Sequence, residues 1–196
     1  AIVKASEASI HPNWFCYDSR GIAKQLKVEN PEVLSKAEEY ATKLLQNPLL
    51  GSAPISPNDG PGWDSCFDPG DLQFITDKVF EFANKVAQDV GPAFPGKYIG
   101  VYSYGGYSCA PSVPLQSNLL VQIATAFDYC GQSISDRISR VAAQGATIGI
   151  RDYYDVWKWY KDNPPNTKGI VKQIPFYANN KVKVINAESG DGWGAR

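Results

Sequence analysis

Two carboxylates stand where β-branched runs break into polar loops. Asp59 lies in Ile55-Ser56-Pro57-Asn58-Asp59-Gly60, and Glu188 lies in Val182-Lys183-Val184-Ile185-Asn186-Ala187-Glu188-Ser189-Gly190-Asp191. A pair of this kind suits glycosidic chemistry, in which one carboxylic acid protonates the leaving oxygen and a second group stabilises an oxocarbenium-like centre. Asp59 is the candidate acid, with Trp63 as an apolar neighbour; the same Asn-Asp-Gly string also suits an ordinary turn. For the second group two options stay open. Glu188 or Asp191 would serve as nucleophile or base, or Asn58 would orient a substrate acetamido group that attacks its own anomeric carbon. A carboxylate at 188 would equally pair with an arginine or bind hydroxyls.

Four more apolar runs end in polar or aromatic clusters. They are Gln25-Leu26-Lys27-Val28-Glu29-Asn30, Tyr98-Ile99-Gly100-Val101-Tyr102-Ser103-Tyr104, Leu120-Val121-Gln122-Ile123-Ala124 and Ile148-Gly149-Ile150-Arg151-Asp152-Tyr153-Tyr154. Functional clusters after nearly every strand favour a (β/α)8 TIM-type barrel, whose chemistry sits at the carboxyl ends of its strands. A doubly wound dinucleotide fold would carry a glycine-rich phosphate turn, and no strand here feeds GxGxxG or GxxxxGK[ST]. The rim residues add substrate-binding candidates: Tyr102, Tyr104, Asp128, Tyr153, Trp157 and Trp193, with Arg151 and Asp152 either paired to one another or bound to hydroxyls. His11 is a lone histidine without a triad pattern, so it is a candidate sugar contact and not a catalytic base.

The elements that must position these residues follow from periodicity. Asn30-Pro31 caps a helix with Val33, Leu34, Ala37, Tyr40, Ala41, Leu44 and Leu45 on one face. A second helix carries Leu72, Ile75, Val79, Phe82, Ala83, Val86 and Val90 and ends at Gly91-Pro92. Strands are predicted at 98–104 and 119–125, then a shorter helix from Ser133 that stops at Gly145, then strands at 147–150 and 182–186. The stretch 170–178, interrupted by Pro175, is weaker. Strands alternating with helices imply βαβ units and a parallel sheet. No repeat or composition shift marks a boundary, so residues 1–196 are read as one domain.

The chain has 196 residues, shorter than the roughly 250 of an intact eight-stranded barrel. About five to six parallel strands are expected, as a fragment of a longer chain. The start Ala1-Ile2-Val3-Lys4 has neither a signal peptide nor an initiator methionine, which fits a processed segment. The remainder of the barrel, or another chain, would then cover the open sheet edges.

Lys plus Arg number 19 against 20 Asp plus Glu, without blocks of like charge. Nucleic acid and anionic membranes are therefore not expected partners, and no run approaches a membrane span. Tyrosine and tryptophan are plentiful beside Gly, Asn and Asp, and such rings offer apolar faces to a sugar. Cys16, Cys66, Cys109 and Cys130 lack CxxC spacing and the chain has a single histidine, so no structural zinc is implied, and no cofactor is expected. The four cysteines allow two bridges in an exported protein, Cys16 with Cys66 and Cys109 with Cys130, or four free thiols.

Five strings in order carry a resemblance over nearly the whole chain. They are His11-Pro12-Asn13-Trp14-Phe15 with Asp18-Ser19-Arg20; Gln25-Leu26 with Asn30-Pro31-Glu32-Val33; Ser56-Pro57-Asn58-Asp59-Gly60; Arg151-Asp152-Tyr153-Tyr154-Asp155-Val156-Trp157; and Asn186-Ala187-Glu188-Ser189-Gly190-Asp191-Gly192-Trp193-Gly194. Together they resemble a bacterial glycoside-hydrolase-like TIM-barrel family long catalogued as a domain of unknown function. The resemblance implies kinship with hexosaminidase and α-glucuronidase catalytic domains, and some members are similar to endo-β-N-acetylglucosaminidases. The expected activity is that of a retaining glycoside hydrolase, secreted, periplasmic or at the cell surface, acting on N-acetylhexosamine linkages either through Glu188 or with substrate assistance. Asp59 is its acid/base, Asn58 its partner, and Arg20 a substrate contact. The rival expectation is a non-catalytic carbohydrate-binding module or lapsed enzyme.

Overall fold

The structure, a computed structural model, describes residues 2–154 and 167–189. Its first regular pair is a hairpin of β1 (Phe15–Tyr17) and β2 (Ala23–Leu26), antiparallel and separate from the main sheet. The apolar run at 25–30 predicts a barrel strand there instead. The turn at 18–22 decides otherwise: the Asp18 carboxylate accepts from the Arg20 and Ile22 amides, and Gly21 takes φ of 74°. A connection this short can only reverse the chain, since parallel neighbours need a crossover.

The helix α1 (Pro31–Leu45) begins as expected, with the Asn30 side chain accepting from the Glu32 amide at 2.8 Å and Pro31 in the first turn. Its innermost row is Val33, Ala37, Ala41 and Leu45, each four residues apart. After β3 (Ser52–Pro54), Asp71 caps α2 (Leu72–Val90). This helix buries a wider face than predicted, adding Thr76, Phe80 and Ala87, because it packs against α1 as well as the sheet. There follow β4 (Tyr98–Gly105), β5 (Leu119–Asp128), α3 (Ile134–Ala143, capped by Ser133), β6 (Thr147–Tyr154), α4 (Thr167–Asn179) and β7 (Val184–Ser189). Pro175 does not interrupt α4. Proline removes one backbone donor, and tertiary packing offsets that loss: Tyr177 is buried and its hydroxyl donates to the Asp152 carboxylate at 2.9 Å.

The five strands β3-β4-β5-β6-β7 pair in chain order, all parallel. Parallel crossovers are nearly always right-handed, so an unreversed order puts every connecting helix on one face. The packing agrees: α1 lies on β3, α2 on β4 and β5, and α3 on β5 and β6. Strand alternation then divides the residues. Ile99, Val101, Leu119, Val121, Ile123, Ile148 and Ile150, all buried, face the helices. The opposite, inner face carries Tyr102, Tyr104, Arg151, Tyr153, Asn186 and Glu188. Laid flat, β3 and β7 would stand four spacings apart, roughly 19 Å. Residues that follow β3 and residues of β7 nevertheless line one cavity, so the sheet curls into a half-barrel.

Arg137 is a helix residue that apolar periodicity passes over. It is 2% exposed between α3 and the sheet, and its guanidinium donates to the carbonyls of Ala124 and Ser103 and to the Ser103 hydroxyl at 2.7–2.9 Å. Burial lowers its pKa to about 10 against the opposing pull of Asp128, so it stays charged at neutral pH. By tying the carboxyl ends of β4 and β5 together it holds the two strands from which Tyr104 and Phe127 project.

Candidate functional site

A cavity of about 540 Å³ opens at the carboxyl ends of the strands, lined by Ser56, Asp59, Tyr102, Tyr104, Tyr107, Phe127, Arg151, Tyr153 and Glu188 among others. Asp59 reaches it from the loop after β3, and the hairpin holds that loop. The buried Gln25 side-chain amide donates to the carbonyls of both neighbours of Asp59, Asn58 at 2.9 Å and Gly60 at 3.0 Å. The Asn58 side chain donates back to the Lys24 carbonyl at 2.7 Å. Gly62, at φ of 124°, lets the loop pass so close that a Cβ there would stand 2.2 Å from the Lys24 Cβ. A further tether runs from the Tyr102 amide to the Ser56 hydroxyl, 3.0 Å.

The opposite wall is β6 and β7. The Arg151 guanidinium forms an ion pair with Glu188 and donates to the Asn186 side chain at 2.9 Å. Its charge also lies 5.4 Å from the Tyr153 ring and 6.0 Å from that of Tyr102, a favourable cation–π arrangement. Phe127 completes the wall in an uncommon conformation for a bulky residue, φ of 58°. There its ring meets the Tyr104 and Tyr153 rings edge-on at 5.6 and 5.5 Å. Strain of this sort persists only where the surroundings enforce it, and it clusters at functional sites.

Burial first, and then the hydrogen bond and negative charge of Asp59, push the Tyr104 phenol up to about 12. Tyr107, almost wholly buried, is raised further, again chiefly by burial. Both phenols therefore remain protonated donors at neutral pH. A native pKa above the unfolded value of about 10 means that the unfolded chain loses the proton first, so stability falls as pH rises from about 10 to 12. Ultraviolet titration at 295 nm should show a late-ionising tyrosine fraction that shrinks in Tyr104→Phe; an unchanged late fraction would refute the assignment.

Several candidates lie elsewhere. Asn58 lines neither cavity that Asp59 lines, because its amide is turned to the hairpin. Asp152 points to the helix side, 3% exposed, accepting from Thr125 at 2.8 Å and from Tyr177, so it neither pairs with Arg151 nor faces the mouth. Adjacent strand residues face opposite sides, and that alone separates 151 from 152. His11 stacks on Trp14 with ring centroids 3.8 Å apart, and Arg20 pairs with Asp18 in the hairpin turn. The Asp128 carboxylate accepts from the Cys130 amide. Trp157, Asp191 and Trp193 lie outside the described residues. Trp63 is buried and lines a second cavity beside Asp59.

Residue type and spacing do not mark Gln25, Ser56, Tyr107 or Phe127 as site residues. Gln25 was visible as a polar residue within an apolar run; the left-handed backbone of Phe127 leaves no trace in composition.

Two disulfides, Cys16–Cys66 and Cys109–Cys130, strap these loops, and no described cysteine is free. The first joins the hairpin to the loop after Trp63, the second the loop after β4 to the loop after β5. Disulfides suit an oxidising compartment. No described helix is long and apolar enough to cross a membrane.

No curated protein matches the chain. A family model does match, over residues 3–192, nearly every position, including the clamped loop of Asp59 and the strand of Glu188. The chain belongs to the family described as Domain of unknown function (DUF4838).

Proposed function

We propose that the inner-face cavity binds a carbohydrate and that Asp59 and Glu188 hydrolyse its glycosidic bond. The observation that carries this reading is the two carboxylates on opposite walls of one aromatic cavity, with tyrosines 102, 104, 107 and 153 and Phe127 between them. Such rings offer apolar faces and hydroxyl donors at once, which matches a sugar ring.

In a retaining sequence the Asp59 carboxyl gives its proton to the glycosidic oxygen, and the C–O bond breaks with its electron pair on that oxygen. The Glu188 carboxylate bonds to the anomeric carbon. Water, deprotonated by Asp59, then displaces Glu188 and completes hydrolysis. Arg151 holds Glu188 in place. The substrate-assisted variant has weaker support, because its Asn58 is engaged by Lys24. N-acetylhexosamine linkages in glycans are the substrates that the resemblance puts first, met in a secreted or periplasmic setting that two disulfides suit. The unreversed strand order supports an eight-stranded barrel, with further strands covering the edge of β7 that no described strand covers, where Val184 and Ile185 are about 40% exposed.

The Arg151–Glu188 ion pair also supports a second reading, binding without turnover, since the guanidinium draws on the negative charge that Glu188 would bring to the anomeric carbon. Assaying a panel of N-glycans and polysaccharides for new reducing ends separates the two. Release of reducing ends is expected; binding of a glycan with no cleavage of any linkage favours the second reading, and no glycan binding overturns both.

A further inference from the structure

Asp59 is a wall between two cavities. Beyond it a second space of about 310 Å³ is lined by Trp63, Leu72, Ile75, Tyr107 and Tyr129 together with prolines and glycines, and it shares Asp59, Tyr104 and Tyr107 with the first. The two differ in chemistry. The first holds Arg151 and Glu188; among the described residues that line the second, Asp59 alone is charged.

Trp63 is the largest ring of this lining. The residue is 3% exposed, and its indole N–H has no hydrogen-bond partner among the described residues. Beside it stands Gly106, and an atom at the position of its absent Cβ would lie 3.7 Å from Trp63 Nε1. The glycine thus leaves room for one more carbon beside the edge of the indole, whose nitrogen is itself closed off from the cavity.

We infer that the second cavity seats the leaving group and that it favours a leaving group with a flat apolar ring over a small alkyl one. The inference rests on the glycosidase reading of Asp59. A general acid must reach the oxygen between glycone and leaving group, so a residue shared by two compartments places that oxygen at their boundary. The sugar then lies on the Arg151–Glu188 side and the departing alcohol or phenol on the Trp63 side. Aromatic rings meeting Trp63, Tyr104 and Tyr107 gain offset or edge contacts beyond simple burial.

Gly106→Ala is a clean plug. Gly106 is outside the left-handed region, and the new methyl would meet nothing closer than 3.7 Å, so the fold should be kept, as a melting curve can verify. The probes are phenyl and methyl thioglycosides of the same sugars, which resist cleavage, with binding read by calorimetry. Wild type should bind the phenyl compound at least ~10-fold more tightly than the methyl compound. In Gly106→Ala that ratio should collapse toward unity. Equal affinities in wild type, or an undiminished ratio in the variant, overturns the inference while leaving hydrolysis of the matching O-glycosides to speak for the catalytic reading. A phenyl preference abolished by the plug, with no O-glycoside cleaved, overturns the catalytic reading and the leaving-group role with it.

Discussion

Asp59→Asn is expected to lower glycoside hydrolysis by roughly 10²- to 10⁴-fold, the usual worth of a positioned general acid, while glycan affinity stays near that of wild type. The substitution is close to isosteric and removes only the transferable proton. The backbone on either side is held by Gln25, whose amide donates to the Asn58 and Gly60 carbonyls whatever occupies position 59. The Tyr104 hydroxyl can still donate to an amide oxygen there. Turnover measured on a chromogenic O-glycoside, beside calorimetric binding of the same sugar, separates chemistry from affinity. Undiminished turnover would remove Asp59 from the mechanism, and parallel loss of binding and turnover would make it a substrate contact only.

Removing Cys16–Cys66 by a paired change to serine should cost about 4 kcal/mol of stability, because a bridge over 50 residues removes much of the loop-closure entropy of the unfolded chain. The Cys109–Cys130 bridge spans 21 residues and should contribute less, about 3 kcal/mol. Denaturant midpoints of the two paired variants test both magnitude and order. The first variant has a second consequence. The hairpin whose Gln25 clamps the Asp59 loop is no longer anchored at its far side, so activity should fall more in this variant than in the other at temperatures where both are folded. A midpoint equal to that of wild type would reject the chain-entropy account.

Much of the architecture was legible because local rules and global packing agree. Asn30-Pro31, Asp71 and Ser133 start helices by satisfying exposed amides, and rows such as Val33, Ala37, Ala41 and Leu45 can be buried only as a helix face. Alternating strands and helices without a phosphate-binding turn pointed to a (β/α)8-type barrel, and the described strands form a curled five-stranded parallel half-barrel. Gln25-Leu26 misled because an apolar run ending in polar residues describes a hairpin strand as well as a barrel strand; the short turn at 18–22 was the discriminating signal. Pro175 misled in the other sense, since local propensity argues for a break where packing of Tyr177 holds a helix.

The residues at the cavity divide in the same way. Which strand ends carry acids and rings is written in residue type and periodicity, both local properties, and these name Asp59, Tyr102, Tyr104, Arg151, Tyr153 and Glu188. Tertiary structure decided which of them meet. Curling the sheet brings Asp59 and Glu188 from opposite edges to one cavity, alternation turns Asp152 away from its neighbour Arg151, and the hairpin takes the Asn58 amide for its own. It also brought in Gln25, Phe127 and Arg137, whose roles depend on partners far along the chain and on backbone angles that no residue type announces.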